Sequence, residues 1–265
     1  MNNLEKFVAK IKTHRICFGA GIWFSDPLIS EIFCEIGYDF IWIDTEHATS
    51  DNRIVLSHIM ATKGTDTAPF VRVSGRESFI VQPVLELGPA AVIFPFINSK
   101  EDAVNAIKAC RYPPEGKRGF GPIRSNRFYM EEIEQYFQKS KNNPWVILQI
   151  EHIDAVKNLD SILEVGGFNS IVIGPHDLSA SLGFPGRPRS SEVLKVIETI
   201  AGKANKKGIP VGIATAIELD DLPFFESLKS MGINWICMIG DFDTLITKPC
   251  QVLEKMRTLS NKTGY

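Results

Sequence analysis

Val146-Ile147-Leu148-Gln149-Ile150-Glu151 is an apolar, largely β-branched run broken on alternate positions by an amide and an acid. Hydrophobicity this continuous suits a parallel strand covered by helices, not a half-exposed antiparallel one. Strand side chains alternate faces, so Gln149 and Glu151 point one way, Leu148 and Ile150 the other. With the apolar pair against helices, the polar pair looks into a barrel mouth.

Seven similar runs surround it: Ile16 to Ala20, Phe40 to Ile43, Phe70 to Val73, Ala91 to Phe94, Ser170 to Ile173, Val211 to Ala214 and Trp235 to Ile239. The segments between them have helical spacing, clearest in Pro27 to Ile36, Glu77 to Leu87, Lys100 to Cys110 and Ser191 to Lys207. Gly37, Gly88, Gly208 and Gly232 stand just past helical patterns, where a left-handed cap suits glycine. Eight strand–helix repeats select a (β/α)8 TIM barrel, with a doubly wound sheet as the competitor. A barrel needs ~250 residues, and the chain has 265. We therefore read residues 1–265 as one barrel domain. A long loop, 111–143, follows the fourth strand, and a C-terminal helix over 243–259 is expected to serve oligomer contacts.

With 44% hydrophobic and 23% charged residues and a net charge of −2, the composition is that of an ordinary globular chain, without the basic stripe of a nucleic-acid binder. No apolar run approaches the ~20 residues that cross a bilayer, and the N-terminal residues lack the apolar core of a signal peptide. Cys17, Cys34, Cys110, Cys237 and Cys250 are scattered, which suggests buried thiols in a reducing cytoplasm.

In such barrels chemistry gathers where strands end. The second strand runs into Asp44-Thr45-Glu46-His47, the third carries Arg72, the fifth Gln149 and Glu151, and the sixth leads to Gly174-Pro175-His176-Asp177. Charges embedded in apolar strands are costly unless paired. The bland explanation is an ion-pair network closing the barrel top. The chemical one assigns Glu151 and Asp177 to a hard divalent cation, Mg2+ or Mn2+ with Co2+ as a further candidate. His176 could add a nitrogen, although its side chain should diverge from that of Asp177. Arg72 can hold a carboxylate or an oxyanion, or else pair with Glu46 or Glu86. His47, three residues from Asp44, suits an Asp–His proton-transfer pair. His14, His58 and His152 read as surface or supporting residues. No strand run contains lysine, so a Schiff base has no candidate.

Phe40-Ile41-Trp42-Ile43-Asp44-Thr45-Glu46-His47-Ala48 resembles the D-x-E-H-A signature of the HpcH/HpaI aldolases. Val71-Arg72-Val73, Arg111-Tyr112-Pro113-Pro114-Glu115-Gly116-Lys117-Arg118-Gly119, Gln149-Ile150-Glu151 and Gly174-Pro175-His176-Asp177-Leu178-Ser179 extend the resemblance in order, from about residue 16 to 245. It implies a barrel of the phosphoenolpyruvate/pyruvate-binding type and a class II, metal-dependent lyase. Such an enzyme cleaves a 4-hydroxy-2-oxo acid to pyruvate, or a related 2-oxo acid, and an aldehyde. It further implies Glu151 and Asp177 as metal ligands and Arg72 and Gln149 as contacts to the oxo acid. The amides of the Gly174, Pro175, His176 and Asp177 turn would hold its carboxylate, and Asp44 with His47 would handle protons. Homo-oligomers are implied too, hexamers or trimers of dimers with exchanged C-terminal helices. His176, Glu86 and Gly21 depart from the family pattern, which bears on the choice of aldehyde. Competing readings are a phosphoenolpyruvate-type mutase or hydrolase using Lys117, Arg118 and Arg124, a CoA-ester lyase, and a non-catalytic oxo-acid-binding barrel.

Overall fold

The structure, a computed structural model, describes residues 3–13, 15–218 and 220–262; His14 lies outside the described residues. Eight strands alternate with helices: β1 Cys17–Ile22, β2 Phe40–Asp44, β3 Ala68–Arg72, β4 Ala91–Phe94, β5 Trp145–Ile150, β6 Ser170–Ile173, β7 Val211–Ala214 and β8 Trp235–Gly240. Every neighbouring pair is parallel and β8 returns to β1, so the sheet is a closed barrel. Each expected strand lies within two residues of an observed one. The helices are α1 Leu4–Lys12, α2 Pro27–Ile36, α3 Asn52–Ala61, α4 Ser78–Glu86, α5 Lys100–Cys110, α6 Ile133–Ser140, α7 Ile153–Lys157, α8 Leu159–Leu163, α9 Pro175–Ser181, α10 Ser191–Lys206, α11 Leu222–Ser230 and α12 Asp241–Lys262. The excursion after β4 is the long loop expected at 111–143, folded down by α6. The expected helix 243–259 is the inner part of α12. No described helix is long and apolar enough to cross a membrane.

Strand alternation sorts the core into two bodies. Ile41, Ile43, Val71, Val92, Leu148, Ile150, Ile171 and Ile173 face outward and pack with the helices. Phe40, Trp42, Phe70, Ile93, Trp145, Ile147, Val172 and Trp235 fill the barrel interior. Leu148 and Ile150 therefore lie on the helix side, as read from their spacing. At the N-terminal end of the strands, α1 inserts Phe7 among Phe40, Phe70, Trp145 and Trp235, with ring centroids 4.9–6.4 Å away. Edge-to-face rings at such separations are favourable beyond their buried area, and they plug the barrel bottom. Leu4, Phe7 and Ile11, spaced by three and four, form the buried stripe that docks α1. Gly37 caps α2 at φ 94°, and Gly88, Gly208 and Gly232 also take positive φ. Of the cysteines, Cys250 departs from expectation: it lies exposed on α12, whereas the other four are buried free thiols.

The rim loop after β1 is bolted in place. Asp241 Oδ2, at the start of α12, accepts the N–H groups of Trp23 and Phe24, each at 2.8 Å. The Phe24 carbonyl lies 3.1 Å from His58 Nε2, and Ser30 Oγ is 2.8 Å from His58 Nδ1. The carbonyl can only accept, so Nε2 carries the proton and Nδ1 accepts from Ser30. His58 is a fully buried strut, and burial lowers its pKa despite the Phe24 hydrogen bond and the nearby Asp241 and Asp26. Below the unfolded histidine value of about 6.5, the unfolded chain binds a proton that the folded one resists. The stability due to this neutral strut is thus present above that pH and lost as pH falls through it. We expect the melting temperature to drop between about pH 7 and about pH 5, and His58→Gln to flatten that part of the profile in a thermal-melt series.

Candidate functional site

At the C-terminal end of the strands the interior turns from rings to charge. Asp44 closes β2 and Arg72 closes β3 in direct register. Asp44 is 0% exposed and Arg72 7%. Arg72 donates from Nε to Asp44 Oδ1 at 2.9 Å and from Nη2 to Asp44 Oδ2 at 2.6 Å, the two-pronged geometry that suits a guanidinium. Burial opposes the charged form of Arg72, but Asp44 and then Glu46 outweigh it, and its pKa is raised. The Trp42 ring covers one face, with the guanidinium carbon 5.3 Å from the centroid. Glu46 Oε2 lies 3.0 Å from Nη1 yet makes no hydrogen bond. Glu46 thus holds Nη1 as an ion pair, while Asp44 takes Nε and Nη2.

The expected Asp44–His47 pair is corrected by this geometry. Asp44 points into the barrel and is consumed by Arg72 and by the Glu46 N–H at 3.0 Å. His47 lies beyond the strand, where the chain turns outward; its side chain is 56% exposed and its Nε2 is 3.8 Å from Glu46 Oε2. A spacing of three suggested closeness, but the strand end sends the two side chains apart. Glu46, not Asp44, is the acid beside the imidazole.

Gln149 and Glu151 point inward from β5, as their parity required, with 2% and 1% exposure. Glu151 Oε1 accepts the Phe96 N–H at 2.8 Å, and Oε2 accepts from Gln149 Nε2. Burial pushes the Glu151 pKa up to about 7, against those two hydrogen bonds and with the charges of Asp177 and Glu46 adding to it. Glu46 is raised as well, first by burial, and Asp177 contributes there too. The structure thus gathers Glu151, Asp177 and Glu46 in one electrostatic neighbourhood with Arg72. Gln149 Oε1 is a buried acceptor without a donor.

The turn after β6 approaches this cluster closely. A Cβ on Gly174 would sit 2.5 Å from Glu151 Oε2 and 2.9 Å from Glu151 Cβ, so glycine is required for space. Asp177 is half-buried in the first turn of α9. Of the four residues assigned to the carboxylate turn, Gly174 spends its N–H on the Ile150 carbonyl and Pro175 has none. Only the main-chain N–H groups of His176 and Asp177 remain for a ligand. The His176 side chain is exposed. At β1 a Cβ on Gly21 would meet the Trp23 ring at 2.1 Å, so the indole folds back over position 21.

The residues at this rim fit a hard divalent cation. A carboxyl whose pKa is raised by burial and by the charges of two neighbouring acids, beside a donor-less carbonyl oxygen, is compensated by positive charge. Among the described residues no three His, Cys, Asp or Glu side chains form a metal cluster. Burial lifts the interior thiol of Cys237 to about 12, so it is no nucleophile at neutral pH. No described strand contains lysine. Glu86 and Arg118 belong elsewhere: they pair at 2.9 Å beside a cavity of about 500 Å³ lined also by Asn3, Leu4 and Trp145, at the plugged end. Arg124 donates to the Leu87 carbonyl. Glu46 was expected from sequence as a partner for Arg72, which it is at 3.0 Å, but not as the acid beside His47; Phe96 was not singled out, and nothing local signals it.

The sequence profile of the HpcH/HpaI aldolase/citrate lyase family matches residues 20–222. A 5-keto-4-deoxy-D-glucarate aldolase of Escherichia fergusonii is 36% identical over 223 residues, 84% of this chain and 86% of that protein. An HpcH/HpaI aldolase from Desulfitobacterium hafniense superposes with a TM-score of 0.87 at 25% identity, covering 94% of this chain and 96% of its own. An HpcH/HpaI aldolase/citrate lyase family protein from Burkholderia cenocepacia gives 0.85 at 28%, covering 96% and 99%.

Removing Arg72 would strand a fully buried Asp44 carboxylate. Arg72→Ala is expected to cost about 3–5 kcal/mol in denaturant unfolding, and Arg72→Lys to recover only part, because an ammonium cannot span both oxygens. Gly174→Ala should cost about 1–3 kcal/mol through the clash with Glu151, read from the same titration.

Proposed function

The chain belongs to the HpcH/HpaI aldolase/citrate lyase family, and from that premise we propose that it is a divalent-metal-dependent lyase. On this reading it reversibly cleaves a 4-hydroxy-2-oxo acid to pyruvate, or a related 2-oxo acid, and an aldehyde. The observation that carries the reading is Arg72: a buried guanidinium fixed in one orientation by Asp44 and facing an acid cluster at a strand-end rim. A 5-keto-4-deoxy sugar diacid, numbered from its other end, is a 2-oxo-3-deoxy-4-hydroxy acid, so the substrate of the relatives is the first to test.

Glu151 and Asp177 would hold the cation, Mg2+ or Mn2+ with Co2+ as a further candidate. When bound it supplies Lewis acidity toward the keto oxygen of the substrate. The amide of Gln149 and the N–H groups of His176 and Asp177 orient the oxo acid and its carboxylate. In cleavage His47, backed by Glu46, takes the proton of the 4-hydroxyl. The C3–C4 bond breaks, the aldehyde leaves, and the electron pair moves onto the keto oxygen as an enolate. Arg72 Nη1 donates to that oxygen, where charge develops. A proton delivered to C3 gives pyruvate, and condensation reverses these steps. Asp44 does not touch substrate here; it holds Arg72.

The phosphoryl alternatives lose support because Arg118 and Arg124 are committed at the opposite end of the barrel. A cytoplasmic homo-oligomer is part of the proposal. Its support is the set of buried free thiols and the exposed Leu245, Val252 and Met256 along α12.

Pyruvate methyl-proton exchange in deuterated water tests the first half-reaction without knowledge of the aldehyde. We expect a chelator to abolish it and Glu151→Ala or Asp177→Ala to lose both exchange and Mn2+ binding. Arg72→Ala should keep Mn2+ but slow exchange by about 100- to 1,000-fold. Exchange indifferent to chelator and to loss of Arg72 refutes the proposal.

A further inference from the structure

Two residues past the end of β4, Phe96 adopts φ 49°, a left-handed conformation that L side chains seldom take. The residue is 39% exposed, so burial of its ring does not hold it there. The conformation aims two consecutive amides at β5. Phe96 N–H donates to Glu151 Oε1 at 2.8 Å, and Ile97 N–H donates to the Gln149 carbonyl at 3.2 Å. This short stretch therefore clasps the two β5 residues that bring an amide and a carboxylate to the site.

The strained residue is held from the other side. Its carbonyl accepts from Arg76 Nη1 at 3.0 Å. Arg76 Nη2 lies 3.0 Å from Asp102 Oδ1, and Asp102 Oδ2 accepts the Asn98 N–H at 3.0 Å. Arg76 comes from the β3–α4 connection, Phe96 and Asn98 from the β4–α5 connection, and Asp102 from the first turn of α5. The chain of contacts runs from α5 through Arg76 and the Phe96 peptide to Glu151.

We infer that Arg76, braced by Asp102, is a positioning residue for Glu151, acting through the left-handed Phe96 backbone. Phe96 N–H fixes one carboxylate oxygen while Gln149 Nε2 fixes the other, so the carboxylate plane cannot turn. Groups that orient a ligand in this way set its fitness for a cation. The inference rests on the proposed role of Glu151 as a cation ligand. Its sign separates it from bulk electrostatics. Loss of a cationic side chain near a cation site, through charge alone, strengthens cation binding, whereas loss of the brace weakens it.

Calorimetric titration of Mn2+ into the full-length protein tests this. Arg76→Gln is expected to weaken Mn2+ binding about 10- to 100-fold, and Arg76→Lys, which keeps a donor for the Phe96 carbonyl, to fall between it and wild type. Phe96→Gly keeps the N–H that reaches Glu151 and takes positive φ without strain. Added to Arg76→Gln, it should recover part of the lost affinity, since nothing then drives the peptide out of its left-handed state. A general loss of folding cannot mimic that recovery, and melting temperatures of each variant check for one. Unchanged or tighter Mn2+ binding by Arg76→Gln, or a double variant no better than Arg76→Gln, overturns the inference. Wild-type protein that binds no Mn2+, or binding that survives Glu151→Ala, overturns the functional reading instead.

Discussion

A guanidinium inside a protein must be met by anions, and the pairing of Arg72 with Asp44 is the constraint on which the rim is built. Asp44 is wholly buried, and both of its oxygens serve Arg72. A buried pair of this kind contributes little net stability, because desolvation offsets most of the attraction. Its value is definition: the register of β2 on β3 sets the two residues side by side, and the guanidinium has one orientation. With Asp44 hydrogen-bonded and Glu46 ion-paired to it, the arginine is balanced in charge and fixed in place. Such a group can respond to a developing anion without moving.

The barrel divides its labour along the strand axis. Toward the N-terminal ends the interior is aromatic, dense and dry, and its cohesion tolerates the expense of clustering acids at the other end. Parity carries this division along a single strand: Trp145 and Ile147 pack the interior while Gln149 and Glu151, on the same face, serve the rim. Outward-facing Leu148 and Ile150 anchor that face against the helices. One strand thus holds its own polar tip in place.

Most of the fold was legible because its rules are local. Apolar run length, strand–helix alternation and helix-end glycines placed all eight strands. Parity alone oriented Gln149 and Glu151. What was not legible depends on register or on strain. Asp44 and Arg72 stand 28 positions apart, and only strand pairing makes them partners. Sequence spacing favoured His47 for Asp44 instead, and the turn after β2 defeated that expectation. Phe96 is the clearest case of an invisible signal. Nothing about a phenylalanine announces a left-handed backbone, because the conformation is imposed by Arg76 and by the acid it serves. The docking stripe of α1 was present in the spacing of Leu4, Phe7 and Ile11, but its destination in the barrel bottom follows only from closure of the sheet.

That plug has a kinetic meaning. With Phe7 wedged among four rings, the interior is packed shut at the N-terminal ends of the strands, and only the C-terminal rim is left for ligand traffic. Whatever binds among the strand-end residues arrives and departs on the same side.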